Sequence, residues 1–363
     1  MKVLVVGGTL FNGLALVHQL VAEGHDVTIL NRGKTEAVLP PGVKRLFADR
    51  TDGEAMRSAL GNTEFDCVQD MSAYHPEDVE MMIELLTDRV GHYIFASSTV
   101  IYAASDLLPI TESHPVERDG NQIEYGLHKI LCEDRLFEAN RDRGFPASVA
   151  AFSMVFGPHN GIPDREQRMF TRLAQGRPVL IPGDGTTLGQ VCHVDDQARA
   201  LSAMMGRADT IGKRYNLTGA DYFTSEGYVD TIAAAMGVDA RKVFIPSDVM
   251  DDLWDGRLQI EAGRATKVAI DVRSSDTAAS ERAAMGLRFK LAQLVQRLAP
   301  NIHRWNANVC FSIDRLRVDT GWSPALDFPA AVEDTYRWYE DSAVSASADF
   351  DFAFEDDLVQ LVG

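Results

Sequence analysis

Short β-branched runs alternate with stretches of helical periodicity from residue 1 to about 152. The runs are Lys2–Val6, Asp26–Leu30, Lys44–Phe47, Asp66–Gln69, Tyr93–Ala96 and Ser148–Phe152. This alternation predicts βαβ units and a parallel sheet. Between the first two runs, Leu14, Val17, Leu20 and Val21 recur at helical spacing, and Gly24 stops the pattern where a C-cap glycine sits. The opening unit therefore reads strand, glycine-rich turn, helix, strand. After about residue 153 the pattern is less regular, with turn signals at Gly157-Pro158, Arg177-Pro178 and Gly183-Asp184-Gly185. Val191–Val194 reads as one more buried strand, so two interleaved α/β units are expected rather than a clean linker.

Composition narrows the function classes. A chain of 363 residues fits two units at roughly 150 residues per domain, and 45% hydrophobic against 24% charged residues excludes bulk disorder. The 53 acidic side chains outnumber 35 basic ones, and the net charge of −18 repels a polyphosphate backbone. No nucleic-acid partner is expected. Cys67, Cys132, Cys192 and Cys310 are scattered, without a CxxC pair, as in a reducing cytosol. The apolar stretch Val3–Val6 is too short for a signal segment, and no run approaches the roughly 20 apolar residues that span a bilayer. A cytoplasmic protein without membrane contact is expected. Residues 247–306 hold a local basic excess, Arg257, Arg264, Lys267, Arg273, Arg282, Arg288, Lys290 and Arg297, suited to a lid, an oligomer contact or an anion clamp. The tail from 341 to 363 combines Asp349, Asp351, Glu355, Asp356 and Asp357 with Phe350, Phe352 and Phe354, and reads as flexible.

The candidate chemistry begins at Gly7-Gly8-Thr9-Leu10-Phe11-Asn12-Gly13, between the first strand and the first helix. A glycine turn there lets backbone amides and the helix N-terminus approach a pyrophosphate. Leu10 departs from the usual fingerprint, standing where a middle glycine is expected. About 20 residues further on, a site preferring NAD offers an acid to the ribose 2′-hydroxyl. Here the chain reads Asn31-Arg32-Gly33-Lys34: Asn31 does not repel a 2′-phosphate, and Arg32 and Lys34 would pair with one. NADP is favoured, with NAD the alternative. Asp49 is either an acceptor for the adenine amino group or an ordinary turn aspartate.

Tyr125 and Lys129 lie one helical turn apart on one face. A phenol of ordinary pKa about 10 is a poor base at neutral pH, but a nearby ammonium and an oxidised nicotinamide stabilise its phenolate. The fifth strand ends in Ala96-Ser97-Ser98-Thr99, at the edge where open α/β sheets bind ligands.

Gly7–Gly13, Ser97-Ser98-Thr99-Val100-Ile101-Tyr102, Tyr125-x-x-x-Lys129, Phe156-Gly157-Pro158 and Cys192-His193-Val194-Asp195-Asp196 together resemble the extended short-chain dehydrogenase/reductase superfamily, and in it the NAD-dependent epimerase/dehydratase-like proteins. With Asn31-Arg32-Gly33 and Gly91–Phe95, the chain looks most like the atypical branch of chloroplast stem-loop-binding proteins and their bacterial relatives. The resemblance covers roughly residues 1–220 and resumes at Asp314–Tyr339. It implies a Rossmann-type doubly wound parallel sheet in residues 1–152 plus about 190–218. A smaller, interleaved C-terminal α/β substrate domain would take about 153–189 plus 219–340.

Carried over by residue, the resemblance makes Tyr125 the general acid/base, Lys129 the group that lowers its pKa and holds the nicotinamide ribose, and Ser98 the hydroxyl that orients the substrate oxygen, with Ser97 and Thr99 as fallbacks. Asp70, Met71 and Ser72 would join the cofactor site after the fourth strand. It also implies a homodimer formed through the Tyr125 helix.

Dehydratases of the superfamily carry an Asp-Glu pair after the catalytic threonine, where this chain has Val100, so that route is disfavoured. Epimerase and ketone reductase both remain. Gln190 stands where an Arg is expected to bind a substrate diphosphate, leaving Asn160, Arg168 and the basic region as candidate contacts for a sugar-like small molecule. The nine histidines show no HxxxH or HExxH spacing, and no metal is expected. His128 is expected to face solvent. A different class of reading is an RNA-binding or cofactor-sensing protein that keeps the fold; the charge and the intact Ser98, Tyr125 and Lys129 set argue against it.

Overall fold

A computed structural model describes residues 1–119, 122–161, 165–255, 257–261, 264–267, 304–342, 345 and 350–363. In chain order it contains β1 (Lys2–Val6), α1 (Phe11–Ala22), β2 (Asp26–Asn31), β3 (Lys44–Phe47), α2 (Gly53–Leu60), β4 (Cys67–Asp70), α3 (Pro76–Leu86), β5 (Tyr93–Ser98), α4 (Glu124–Arg143) and β6 (Ala147–Phe152). The second half follows with β7 (Met154–Phe156), α5 (Glu166–Ala174), β8 (Val179–Pro182), β9 (Leu188–Gly189), β10 (Val191–His193), α6 (Val194–Met204) and β11 (Arg214–Leu217). Beyond these lie β12 (Phe223–Thr224), α7 (Ser225–Met236), β13 (Lys242–Ile245), α8 (Ser247–Trp254), α9 (Asp314–Thr320), α10 (Phe328–Asp341) and α11 (Ala353–Val362).

Seven strands form one sheet in the order β3-β2-β1-β4-β5-β6-β11, and every pairing is parallel. Parallel strands are covered on both faces, which explains why β1 is apolar without alternation. Val3 and Val5 enter one core layer with Leu16, Val17 and Leu20 of α1 and Leu201 of α6. Leu4 and Val6 enter the opposite layer with Met82 of α3 and Leu136 of α4. The strand order reverses between β1 and β4, and ligands of open α/β sheets bind at such a switch point.

The predicted strands fall within a residue or two of the observed ones. Val194 differs: it begins α6 rather than ending β10, because the His193 ring accepts the Asp195 amide at 3.3 Å and caps the helix. The second half buries its own cluster, including Phe156, Phe170, Val179, Ile181, Phe223, Ile232 and Phe328. Of the basic region, Arg273, Arg282, Arg288, Lys290 and Arg297 lie outside the described residues.

The acidic tail, expected as flexible, instead carries α11. Leu358 is fully buried against Leu180, Ile245, Met250, Leu253 and Trp305. Glu355, 4% exposed, takes the Arg168 guanidinium on both oxygens at 2.6 and 2.7 Å. Asp356 bonds Arg172 at 3.0 Å and also pairs with Arg177. The Phe352 ring lies under the three guanidinium carbons at 4.6, 5.1 and 5.2 Å. The tail aromatics that looked surplus are a cation–π platform for α5.

Removing one partner of a buried ion pair leaves the other desolvated, at a cost of roughly 3 kcal/mol or more. Glu355→Gln is expected to lower unfolding free energy by about that amount in chemical denaturation. The double change Arg168→Met/Glu355→Leu is expected to recover most of the loss.

Candidate active site

The loop after β1 is shaped by sterics. Gly7 has φ +94°, and a Cβ there would lie 2.9 Å from the Ser72 Cβ; one on Gly13 would lie 2.2 Å from the Gly7 carbonyl oxygen. Leu10 is tolerated because its backbone is extended, φ −132°, so its side chain projects outward at 64% exposure. The N-terminal amides of α1 lack intrahelical acceptors, and no acid sits in its first turn, so the positive helix end stays available to an anion.

This loop closes one side of a cleft of about 550 Å³ lined by Gly7, Thr9–Gly13, Asn31, Arg32, Lys34, Asp49, Arg50, Met71 and Ser72, among others. Two buried polar atoms of these lining residues, Asn12 Oδ1 and Asn31 Nδ2, have no protein partner. A ligand with hydrogen-bonding edges would satisfy them. Asn31 Oδ1 accepts the Gly33 amide at 2.8 Å, shaping the turn that carries Arg32 and Lys34. The Asp49 carboxyl is held below the usual range by hydrogen bonds from the Thr51 amide and hydroxyl, with Arg32 and Lys34 adding to the effect. Glycine loop, free helix end, orphaned amide atoms and nearby cations fit a dinucleotide.

Beyond the cleft, Lys129 is 5% exposed, and its Nζ donates to the carbonyl oxygens of Ala73 and Ala96, each at 2.7 Å. Burial brings its pKa down to about 8. The ammonium lies 5.6 Å from the Tyr125 ring centroid. Burial pushes the Tyr125 phenol up to about 12, opposed by a hydrogen bond from Ser98. Phenol, hydroxyl and ammonium thus meet at the carboxyl ends of β4 and β5. That is an acid/base group with its orienting hydroxyl and electrostatic partner, beside a dinucleotide cleft.

Comparison with known proteins agrees with this reading of the site. The model of the NAD-dependent epimerase/dehydratase family matches residues 3–218. The chain belongs to that family. Its similarity to the chloroplast stem-loop binding protein of 41 kDa b from Arabidopsis thaliana is 32% identity over 249 residues, 65% of this chain and 63% of that protein. The match thus spans a little under two thirds of that relative's length. The 2′-dehydrokanamycin reductase of Streptomyces kanamyceticus is 23% identical over 74% of this chain and 76% of its own. A UDP-glucose 4-epimerase from Thermotoga maritima, solved with UDP-glucose, shares the fold at TM-score 0.68 and 18% identity, covering 94% of this chain and 98% of that one.

Several expected residues of this epimerase/dehydratase chain stand elsewhere. Asp70 is fully buried, bonded to Arg50 and Tyr93, and supports the cleft from behind instead of facing it. Thr99 is 4% exposed in the turn after β5 and is not presented with Ser98. Asn160 spends its amide on Glu166, at 2.9 and 3.0 Å, and Arg168 faces Glu355. Asn160 borders a second cavity of about 830 Å³ with Leu14, His18 and Trp338. His128, expected in solvent, is half-buried, with its ring 5.2 Å from Tyr74 and 4.6 Å from His75.

Three structural residues had no distinctive sequence signal. Gln122 donates to the carbonyls of Val100 and Glu117, tying the start of α4 to the turn after Ser98. Gly126 makes room for it, since a Cβ there would lie 2.2 Å from the Gln122 amide oxygen. Glu133, 1% exposed, accepts from Ser97 and from Arg214, bracing β5 behind Ser98.

Among the described residues, His193, Asp195 and Asp334 form a cluster of possible metal ligands. Because His193 Nδ1 accepts the Asp195 amide, the neutral ring is assigned its proton on Nε2, which faces Asp334 at 3.3 Å. No ring lone pair is left for a cation.

Lys129 titrates near 8 when folded against 10.5 when free, so between those values the unfolded chain holds a proton the folded chain has lost. The stability contribution of this group therefore rises with pH across that window. The melting-temperature difference between wild type and Lys129→Met is expected to move in favour of wild type from about pH 8 to 10; a flat difference would contradict the depressed pKa.

Proposed function

We propose that the chain catalyses dinucleotide-dependent epimerisation of a sugar-like secondary alcohol through a keto intermediate. The observation that carries this reading is the meeting of Tyr125, Ser98 and Lys129 beside the dinucleotide cleft. A bound nicotinamide supplies the hydride acceptor and donor. Tyr125 takes the alcohol proton at Oη and returns it after the hydride is delivered to the opposite face. Ser98 orients the substrate oxygen, and the Lys129 ammonium stabilises the phenolate.

NADP is the preferred dinucleotide on this reading, supported by exposed Arg32 and Lys34 at the cleft and by an uncharged Asn31. A sugar-like substrate, rather than one anchored by its diphosphate at Gln190, is supported by that side chain's bonds. Its amide donates to the Gly219 carbonyl at 2.7 Å and accepts the Phe311 amide at 2.8 Å. Val100, apolar and 4% exposed, supports no proton transfer at the dehydratase position. A second reading, ketone reduction, is favoured by the protonated state that burial imposes on Tyr125 at neutral pH, which suits donation to a carbonyl.

The nucleotide released on denaturing the purified protein separates these readings. Retained oxidised cofactor is the epimerase outcome, and an empty protein that binds NADPH reversibly is the reductase outcome. A chain that binds no dinucleotide overturns both. Arg32→Ala/Lys34→Ala is expected to weaken NADP binding at least tenfold while leaving NAD binding within about twofold, as charge-assisted phosphate contacts imply. Tyr125→Phe is expected to lower turnover by roughly 10²–10⁴.

A further inference from the structure

Arg50 lines the dinucleotide cleft, yet every nitrogen of its guanidinium already has a protein oxygen beside it. Nη1 donates to Asp70 Oδ1 at 2.9 Å and to Ser72 Oγ at 2.8 Å. Nη2 donates to Asp70 Oδ2 at 2.9 Å and to the Asp78 carbonyl at 3.4 Å. Nε lies 3.2 Å from Asp78 Oδ1. Asp70 is in turn immobilised, accepting the Tyr93 hydroxyl at 2.6 Å and the amides of Ser72 and Ala73.

The guanidinium is therefore held in one plane with its edges occupied. It has no free edge for a phosphate, and what remains for a ligand is its face. Guanidinium faces are weakly hydrated and stack on aromatic rings, a contact that does not compete with in-plane hydrogen bonds. Arg50 sits between Asp49 and Thr51, close to Met71 and Ser72, where β3 and β4 end at the nucleotide side of the switch point.

We propose that Arg50 is the stacking platform for the adenine ring of the dinucleotide, locked flat by Asp70 and Asp78. Base recognition is thereby separated from recognition of the 2′-phosphate, which falls to Arg32 and Lys34. The inference rests on the dinucleotide reading above.

The test is calorimetric binding of NADPH, NADH and 2′,5′-ADP to wild type and to Arg50→Lys, which keeps the charge and loses the plane. Loss of base stacking typically weakens binding by about tenfold or more. A similar loss is expected for all three probes, because the adenine is common to them. A change within twofold, or a loss confined to the probes carrying the 2′-phosphate, overturns the proposal.

Because Arg50→Lys also disturbs buried carboxylates, a second measurement uses the unaltered chain. With ¹³C-labelled arginine, nuclear Overhauser contacts are expected between an arginine Hδ and adenine H2 or H8 of bound 2′,5′-ADP, and their absence overturns the stacking role. If wild type binds none of the probes, the dinucleotide reading falls with it. If wild type binds and Arg50→Lys binds equally well, only the stacking role falls.

Discussion

One buried ammonium sets the geometry of the site. Lys129 Nζ is bonded to the Ala73 and Ala96 carbonyls, one just past β4 and one within β5, so α4 is fixed against two strand ends at once. Tyr125, one turn earlier on the same helix, is thereby held where Ser98 can bond it. Gln122 repeats the constraint from the helix start by binding the Val100 carbonyl. The cost of burying a charge appears in the lowered Lys129 pKa, and the two carbonyls offset part of it.

The same economy recurs wherever a cation is buried. Arg50 meets Asp70, Arg168 meets Glu355, and Arg214 meets Glu133, each pair joining segments distant in sequence. Such pairs contribute modestly to net stability against an apolar alternative, but breaking one leaves an uncompensated charge. Their value here is geometric. One flattens a side chain at the cleft, one seats the C-terminal helix on α5, and one braces β5 behind Ser98. In a chain of net charge −18, acids near these cations are plentiful, and the fold selects which of them are buried.

The family contains epimerases and reductases on one scaffold, as the relatives' names illustrate. Fold membership therefore constrains cofactor and acid/base chemistry more tightly than substrate. In this chain the substrate side is distinguished by what its polar groups already do. Gln190 bridges two backbone segments, and Asn160 holds Glu166.

Local physics made much of this legible from sequence. Strand periodicity located the parallel sheet, since strands buried on both faces must be apolar throughout. Gly7 and Gly13 marked a loop whose close approaches exclude a Cβ, and helical spacing alone placed Tyr125 and Lys129 on one face. Long-range pairing was not legible, because no local pattern tells which carboxylate a buried arginine will meet. Arg168 resembled a substrate contact until Glu355, 187 residues away in sequence, proved to occupy it, and Asp70 resembled a cofactor contact until Arg50 did. The acidic tail read as solvated because its apolar residues are few. Only the tertiary structure supplied the guanidinium cluster and the apolar groove that bury Phe352, Glu355 and Leu358. Sequence determined the elements and the chemistry along each strand end; which charges are spent on the fold and which are left for a ligand was decided by packing.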